Sequence, residues 1–392
     1  SSVTASASPP GRTGAAPAPS SDTDRAPSPR PSPTSPPRPA GTVAPRVHYL
    51  DGVTLPDRAS FAPRLRARAR KVALGGRLAL AAVSGRRTPL FVGWALTDTC
   101  NLSCSYCGRW DRRSPELPGD RMLALCDEMA AAQVARVSLT GGEPLVHPQC
   151  LDIAERLAGH GIAVSLNSNG LLVQRHLDRL APVLTAATVS VDGGRDAHDA
   201  QRGEGSWDKA IEGARALLGA GVDVALHAVV TGRSADDGPE LLDVARRLGI
   251  KVGFSVVEPV PAMGRRDLDP WTPSPERWRA FVDDLIARRE AGEDTIQNST
   301  AGLRYLRNWP EYAPIKCSAG VVYARIEPDG RMYGCGNLVR EGASEDLAAL
   351  PFGEAFDRLV AGTCEACWCD TRVEMNLLLA GNPSALAAGW AR

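Results

Sequence analysis

Three cysteines carry the first chemistry in this chain: Cys100, Cys104 and Cys107, in the run Cys100-Asn-Leu-Ser-Cys104-Ser-Tyr-Cys107. That spacing sets three thiolates on one tight loop, facing one side of a metal cluster. Iron–sulfur clusters are held by cysteine thiolates, normally four. Three leave one iron without a protein ligand, and an open coordination position separates a reactive metal site from a structural one. A zinc loop short of one ligand, or three buried thiols, are the alternatives at this spacing.

A second cysteine set comprises Cys317, Cys335 and the pair Cys364-Glu-Ala-Cys367, with Cys369 just beyond. Pro328-Asp-Gly330, between strand-like runs at 321–327 and 331–334, is a hairpin signal that brings Cys317 and Cys335 together. Four thiols as C-x17-C and C-x2-C close a fully ligated cluster or a zinc ribbon. Cys126 and Cys150 fall within and at the start of predicted helices, as small core residues.

The elements that must position these groups alternate strand and helix. Strands are predicted at 91–97, 135–140, 162–167, 186–191, 222–230 and 252–257, each a short apolar or β-branched run of the kind buried in a parallel sheet. Helices are predicted at 120–132, 148–160, 173–181, 206–220, 238–248 and 274–290. Gly161, Gly221 and Gly249 follow helix ends, where a left-handed cap favours glycine. Six βα units in a row predict an α/β fold, a partial (β/α)6 TIM-like barrel. In such barrels reactive groups gather on the loops after the strands. There lie the triad, Thr140-Gly-Gly-Glu-Pro144, Asn167-Ser-Asn-Gly170, Ser190-Val-Asp-Gly193 with His198 and Arg202 beyond, and Glu258 after the sixth strand. Two glycines let a backbone approach a ligand closely, and Glu143 supplies an acceptor. His227, inside the fifth strand, reads equally as a lumen residue or a packed core histidine.

The C-x3-C-x2-C triad, with Tyr106 before its third cysteine, resembles the signature of the radical SAM enzymes. That resemblance implies a partial barrel of six βα units and a [4Fe–4S] cluster on Cys100, Cys104 and Cys107. The open iron would chelate S-adenosylmethionine, whose reductive cleavage yields a 5′-deoxyadenosyl radical. It assigns Gly141, Gly142, Glu143 and Pro144 to the segment that receives the cofactor's amino group, and Asn167 and Asn169 to the ribose. Ser190, Asp192 and Arg202 match the segments near the carboxylate, Arg202 through a charge-assisted pair. Val257 or Met263 would lie over the adenine. Cys317-x12-Gly330-x4-Cys335 resembles the opening of the SPASM and twitch extensions. The short twitch form implies a second, auxiliary [4Fe–4S] cluster on Cys317, Cys335, Cys364 and Cys367. Cys369 is left over, as an alternative ligand, a buried thiol or a hydrogen-atom donor to the substrate.

The chain has 392 residues and a formal net charge of zero, with lysine only at 71, 209, 251 and 316. Balanced charge gives no basis for nucleic acid or an anionic membrane as partner. No apolar run is long enough to span a bilayer and no export signal is read, so the expected place is cytoplasmic. There, ten cysteines argue for metal or catalysis rather than disulfides. Residues 1–45, rich in Ser, Pro and Ala, are expected to be disordered. An N-terminal extension follows at 46–90, with an amphipathic helix at 64–83, then the barrel at 91–293 and the twitch region with a C-terminal helix at 294–392. The extension is too short for the winged-helix domain that often precedes peptide-modifying relatives.

The favoured reading is an enzyme that epimerises a carbon of a carbohydrate-containing small molecule, a glycoside, with Cys369 as hydrogen donor and a flavodoxin- or ferredoxin-type protein as electron donor. Alcohol dehydrogenation of an aminocyclitol or sugar, and peptide modification, are the alternatives. A metal-stabilised redox or binding scaffold is the reading outside enzymology, although it has no use for a GGEP box and Arg202 at strand ends.

Overall fold

The computed structural model describes residues 73–390 except 82, 258–270, 312–313, 341–343, 361–363 and 365. The tail at 1–45, most of the 46–90 extension, Glu258 and Met263 lie outside the described residues.

Six parallel strands follow the predicted order: β1 (Phe91–Ala95), β2 (Arg136–Thr140), β3 (Ala163–Ser168), β4 (Leu184–Ser190), β5 (Asp223–Val230) and β6 (Lys251–Val256). Helices alternate with them: α1 (Gly119–Ala131), α2 (Cys150–Gly159), α3 (Val173–Leu180), α4 (Arg195–Arg202), α5 (Ser206–Gly219) and α6 (Gly238–Leu248). Gly161, Gly221 and Gly249 all take the left-handed backbone read for them. The architecture is the expected partial barrel, and its sheet continues further. The order is β6-β5-β4-β3-β2-β1-β7-β8-β9, with β7 (Tyr323–Ile326) parallel to β1, β8 (Arg331–Tyr333) antiparallel to β7 and β9 (Glu345–Asp346) antiparallel to β8. The second cysteine region thus shares the barrel's sheet.

Strand side chains alternate faces. Val137, Leu139, Val164, Leu166, Val189 and Leu226 join one apolar core with helix residues such as Leu125, Ile153 and Leu217. Each such side chain contributes about 1.5–3 kcal/mol on burial. The opposite, inner face carries small or polar residues: Gly93, Ser138, Ser165, Thr188, Ser190, His227 and Ser255. The strands are therefore two-faced, where the sequence reading had them buried on both.

The β7–β8 hairpin turns at Pro328-Asp-Gly330 as predicted, with Gly330 at φ 81°. The Leu117 amide donates to the Pro328 carbonyl at 2.9 Å, stitching this turn to the segment beyond the triad. Arg109, 1 % exposed, pairs with both Asp98 and Glu327 and so ties the triad loop to the hairpin. α7 (Pro275–Glu290) and α8 (Thr300–Leu306) follow the barrel, and α9 (Phe352–Arg358), α10 (Asp370–Leu379) and α11 (Pro383–Trp390) complete the chain. α10 is fastened where the Ser299 amide donates to Glu374 at 2.6 Å and the Ser318 amide to Asn376 at 2.8 Å.

Candidate active site and a second thiol pocket

The triad occupies the loop after β1, held from three neighbouring loops. The Gly142 and Glu143 amides donate to the Thr97 and Thr99 carbonyls at 2.8 and 2.9 Å. Asn169 Nδ2 donates to Asn101 Oδ1 at 2.7 Å. The Ser105 amide donates to the Gln201 carbonyl at 2.8 Å, at the end of α4. Cys104 and Tyr106 are buried in a small cluster with Val257, while Cys100 and Cys107 are half-buried. Burial pushes the Cys104 thiol up to about 12, with Arg202 acting the other way and Asp192, Cys107 and Cys100 adding to the rise. Burial raises the Cys100 thiol as well, and a bound cluster iron would deprotonate such thiols. Among the described residues no three His, Cys, Asp or Glu converge at the spacing of one ion.

Several residues read as cofactor contacts also bond to the protein itself. A Cβ on Gly142 would strike the Thr99 and Asp98 carbonyls, and one on Gly141 the Thr97 carbonyl, so the close approach these glycines allow is to the triad loop. Glu143 is fully buried and accepts from Ser168 Oγ at 2.9 Å and from the Asn169 and Leu145 amides at 2.8 and 3.2 Å. Burial raises its pKa to about 7 against those bonds. Pro144 opens a short 3-10 turn behind it.

Asp192 accepts from Arg202 Nε at 2.6 Å and Nη2 at 3.0 Å, from the Tyr106 hydroxyl at 2.7 Å and from the Val229 amide at 3.0 Å. Its carboxylate is thereby saturated and serves to position Arg202. Burial opposes the Asp192 charge, and Arg202 more than offsets this, holding the carboxyl below its usual range. Arg202 also donates to Tyr106 at 2.6 Å, so a cofactor carboxylate would share this cation with Asp192. His198 takes the Asp192 amide proton on Nδ1 at 3.1 Å, and burial, then Arg202, lowers its pKa to about 4. Asn167 is exposed, and Ser190 is half-buried beside His227 in register. Both stand on the inner face, with no side-chain hydrogen bond to either among the described residues.

The second cysteine set lines a common pocket. Cys317, Cys335, Cys364 and Cys367 line one pocket of about 430 Å³, together with Arg372 and Asn376. Burial raises the Cys317 thiol, and Arg372 acts the other way. Cys369 does not line that pocket. It caps α10, its carbonyl accepting from the Arg372 and Val373 amides at 3.0 and 2.9 Å. Burial pushes its thiol up to about 12, with Asp370 adding and Arg372 opposing.

Sequence reasoning missed a lumen cluster at this junction. His227 Nε2 lies 2.8 Å from Ser255 Oγ and 3.2 Å from Asp370 Oδ1. Because both partners meet the same ring nitrogen, this is not the relay of a serine hydrolase, which needs them on opposite nitrogens. Tyr323 shares the inner face, its hydroxyl against Gly93, with Arg372 stacked 3.5 Å above its ring centroid. The available signal was parity: Ser138, Ser165, Thr188, Ser190, His227 and Ser255 interrupt apolar strands on one face.

The Radical SAM superfamily model matches residues 94–245. These residues form a radical SAM domain. A mycofactocin maturase, MftC, from Mycolicibacterium smegmatis is 28% identical over 319 residues, spanning 72% of this chain and 76% of that protein. GTP 3',8-cyclase 1 of Pseudomonas aeruginosa is 32% identical over 228 residues, spanning 54% of this chain and 66% of the cyclase. Among solved structures, SuiB of Streptococcus suis superposes with a TM-score of 0.56 at 15% identity, covering 77% of this chain and 73% of SuiB. anSMEcpe with bound AdoMet gives 0.57 at 15% identity, covering 78% and 100%. As a radical SAM enzyme this protein works with S-adenosylmethionine and a [4Fe–4S] cluster, and the three thiols on the loop after β1 fit that cluster's donor set. No described helix is long and apolar enough to cross a membrane.

Proposed function

We propose that Cys100, Cys104 and Cys107 hold the [4Fe–4S] cluster that binds S-adenosylmethionine, and that Cys317, Cys335, Cys364 and Cys367 hold a second, auxiliary one. The substrate is a carbohydrate-containing natural product, and the reaction is epimerisation of one carbon. Reductive cleavage of bound S-adenosylmethionine supplies the 5′-deoxyadenosyl radical, which takes a hydrogen atom from the substrate. Arg202, held by Asp192 and Tyr106, and the inner-face groups Asn167 and Ser190 orient the cofactor. Cys369 then gives its thiol hydrogen atom to the opposite face of the substrate carbon. The sulfur left one hydrogen short recovers through one electron and one proton, the electron from an iron–sulfur donor such as the auxiliary cluster. A flavodoxin- or ferredoxin-type protein supplies electrons to the first cluster.

The observation that carries this reading is that Cys369 does not line the pocket of the other four cysteines, and four thiolates are enough to complete a cluster. The hydroxyl-lined inner face supports a polar substrate. A peptide substrate is the second reading, favoured by solved relatives that carry peptides: SuiB bound to precursor peptide SuiA and anSMEcpe with the Kp18Cys peptide.

The test is anaerobic turnover with S-adenosylmethionine in D2O, using a panel of sugar-containing antibiotics and short peptides, read by mass spectrometry. An isobaric sugar product carrying one deuterium, absent in Cys369→Ala with both clusters intact, is expected. Normal product from Cys369→Ala overturns the donor role. A product lighter by two hydrogens overturns epimerisation in favour of oxidation, and labelling of peptides alone moves the substrate to that class.

A further inference from the structure

Three of the sequestered arginines among the described residues are matched with carboxylates. Arg109 pairs with Asp98 and Glu327, Arg202 with Asp192, and Arg325 with Glu327 at 2.8 Å. Arg372, half-buried on the first turn of α10, has no carboxylate partner among the described residues. Its neighbours are the Tyr323 ring, 3.5 Å from the guanidinium carbon, and the Met375 sulfur, 3.7 Å from Nη1. A cation–π stack stabilises an arginine without neutralising it, and a sequestered charge without a counter-charge is costly. The same side chain lines the pocket of Cys317, Cys335, Cys364 and Cys367. The missing counter-charge is therefore the contents of that pocket.

We infer that Arg372 is the charge partner of the anionic centre held by the four thiols and makes that centre easier to reduce. The inference rests on the auxiliary cluster proposed above. Cluster potentials follow net charge and the surrounding hydrogen bonds. A reduced cluster carries one more negative charge than its oxidised form, so a fixed cation beside it favours the reduced form. Tyr323 fixes the guanidinium from below, and the turn Cys369-Asp370-Thr371 leads α10 into the lumen through the Asp370–His227 bond. The residue that tunes the pocket thus sits on the same helical turn as Cys369 and Asp370.

The test is redox titration followed by electron paramagnetic resonance on the full-length chain, with Cys100, Cys104 and Cys107 replaced by Ala to isolate the second centre. About four irons per chain and one reducible signal are expected. Arg372→Met should lower the reduced-to-oxidised ratio about tenfold at fixed potential, a fall of about 59 mV for one electron, and Arg372→Lys should stay within about threefold of the parent. An unchanged midpoint in Arg372→Met overturns the role of Arg372 and leaves the auxiliary cluster standing. No iron, or zinc in its place, in the parent overturns the cluster and with it the inference. Where Arg372→Met takes up no iron, Arg372→Lys decides: recovery of iron supports the charge role, and continued loss overturns it.

Discussion

Glu143 shows how one side chain does a different task from the one its motif implies. The carboxylate meets three protein donors from its own loop and the loop after β3, and no water-facing edge remains. Its folded pKa is about 7 against an ordinary value of 4.5. Between those values the unfolded chain has lost a proton that the folded chain keeps. The stability Glu143 contributes is therefore greatest below about pH 4.5, falls as pH rises through this window and is flat above about 7. Glu143→Gln removes the titration, so the stability gap between wild type and variant should be wider at pH 5 than at pH 8, by about 1–3 kcal/mol. Urea unfolding at both pH values reads it, and a pH-independent gap refutes the assignment. The motif was legible because its residues are contiguous. Its bonding was not, because Ser168 and Asn169 lie a whole βα unit away.

At the scale of the element, the loop after β1 has little regular structure and takes its shape from loops packed around it. Gly142 is the tightest of these contacts, since any side chain there would meet main-chain oxygen rather than a movable group. Gly142→Ala should destabilise the protein by about 1–3 kcal/mol through overpacking. It should also lower iron retention at the triad while sparing the second pocket. Thermal melting and iron per chain, compared with the same substitution in the Cys317→Ala background, check both effects. Full iron and an unchanged melt would remove the role of this approach. Each strand and most helices were legible within a few residues, since apolar runs and capping glycines are local signals. The helices Arg195–Arg202, Thr300–Leu306 and Phe352–Arg358 were not, because each is only seven or eight residues long and owes its helicity to packing.

For the molecule as a whole, the join between the barrel and the region after it matters most. The sheet runs through both, and the Asp370–His227 bond fastens α10 into the lumen. Burial works against a charge on His227, and Asp370 outweighs it, holding the imidazole pKa above its ordinary 6.5. A raised histidine contributes stability that is fully present below about pH 6.5 and is lost as pH rises through the raised folded value. Asp370→Asn should therefore cost about 1.5–3 kcal/mol at pH 6 and visibly less at pH 9. Denaturant midpoints of the two proteins at those pH values test this, and an equal loss at both would show that His227 is not the charge Asp370 serves.

The sequence by itself determined the radical SAM reading and the order of the barrel elements, and it named the cysteines proposed as ligands. Those features are written in short spacings and in periodicities of a few residues, which survive without knowledge of what packs against what. Tertiary structure decided the partners. It gave Asp192 to Arg202 and Tyr106, placed Glu143 beneath the loop after β3, brought Asp370 into the barrel beside His227 and left Arg372 facing thiols instead of a carboxylate. Apart from Asp192–Arg202, each of these is a contact between groups far apart in the chain. Which charge meets which depends on how the sheet turns its two faces, and neighbouring residues carry no record of it.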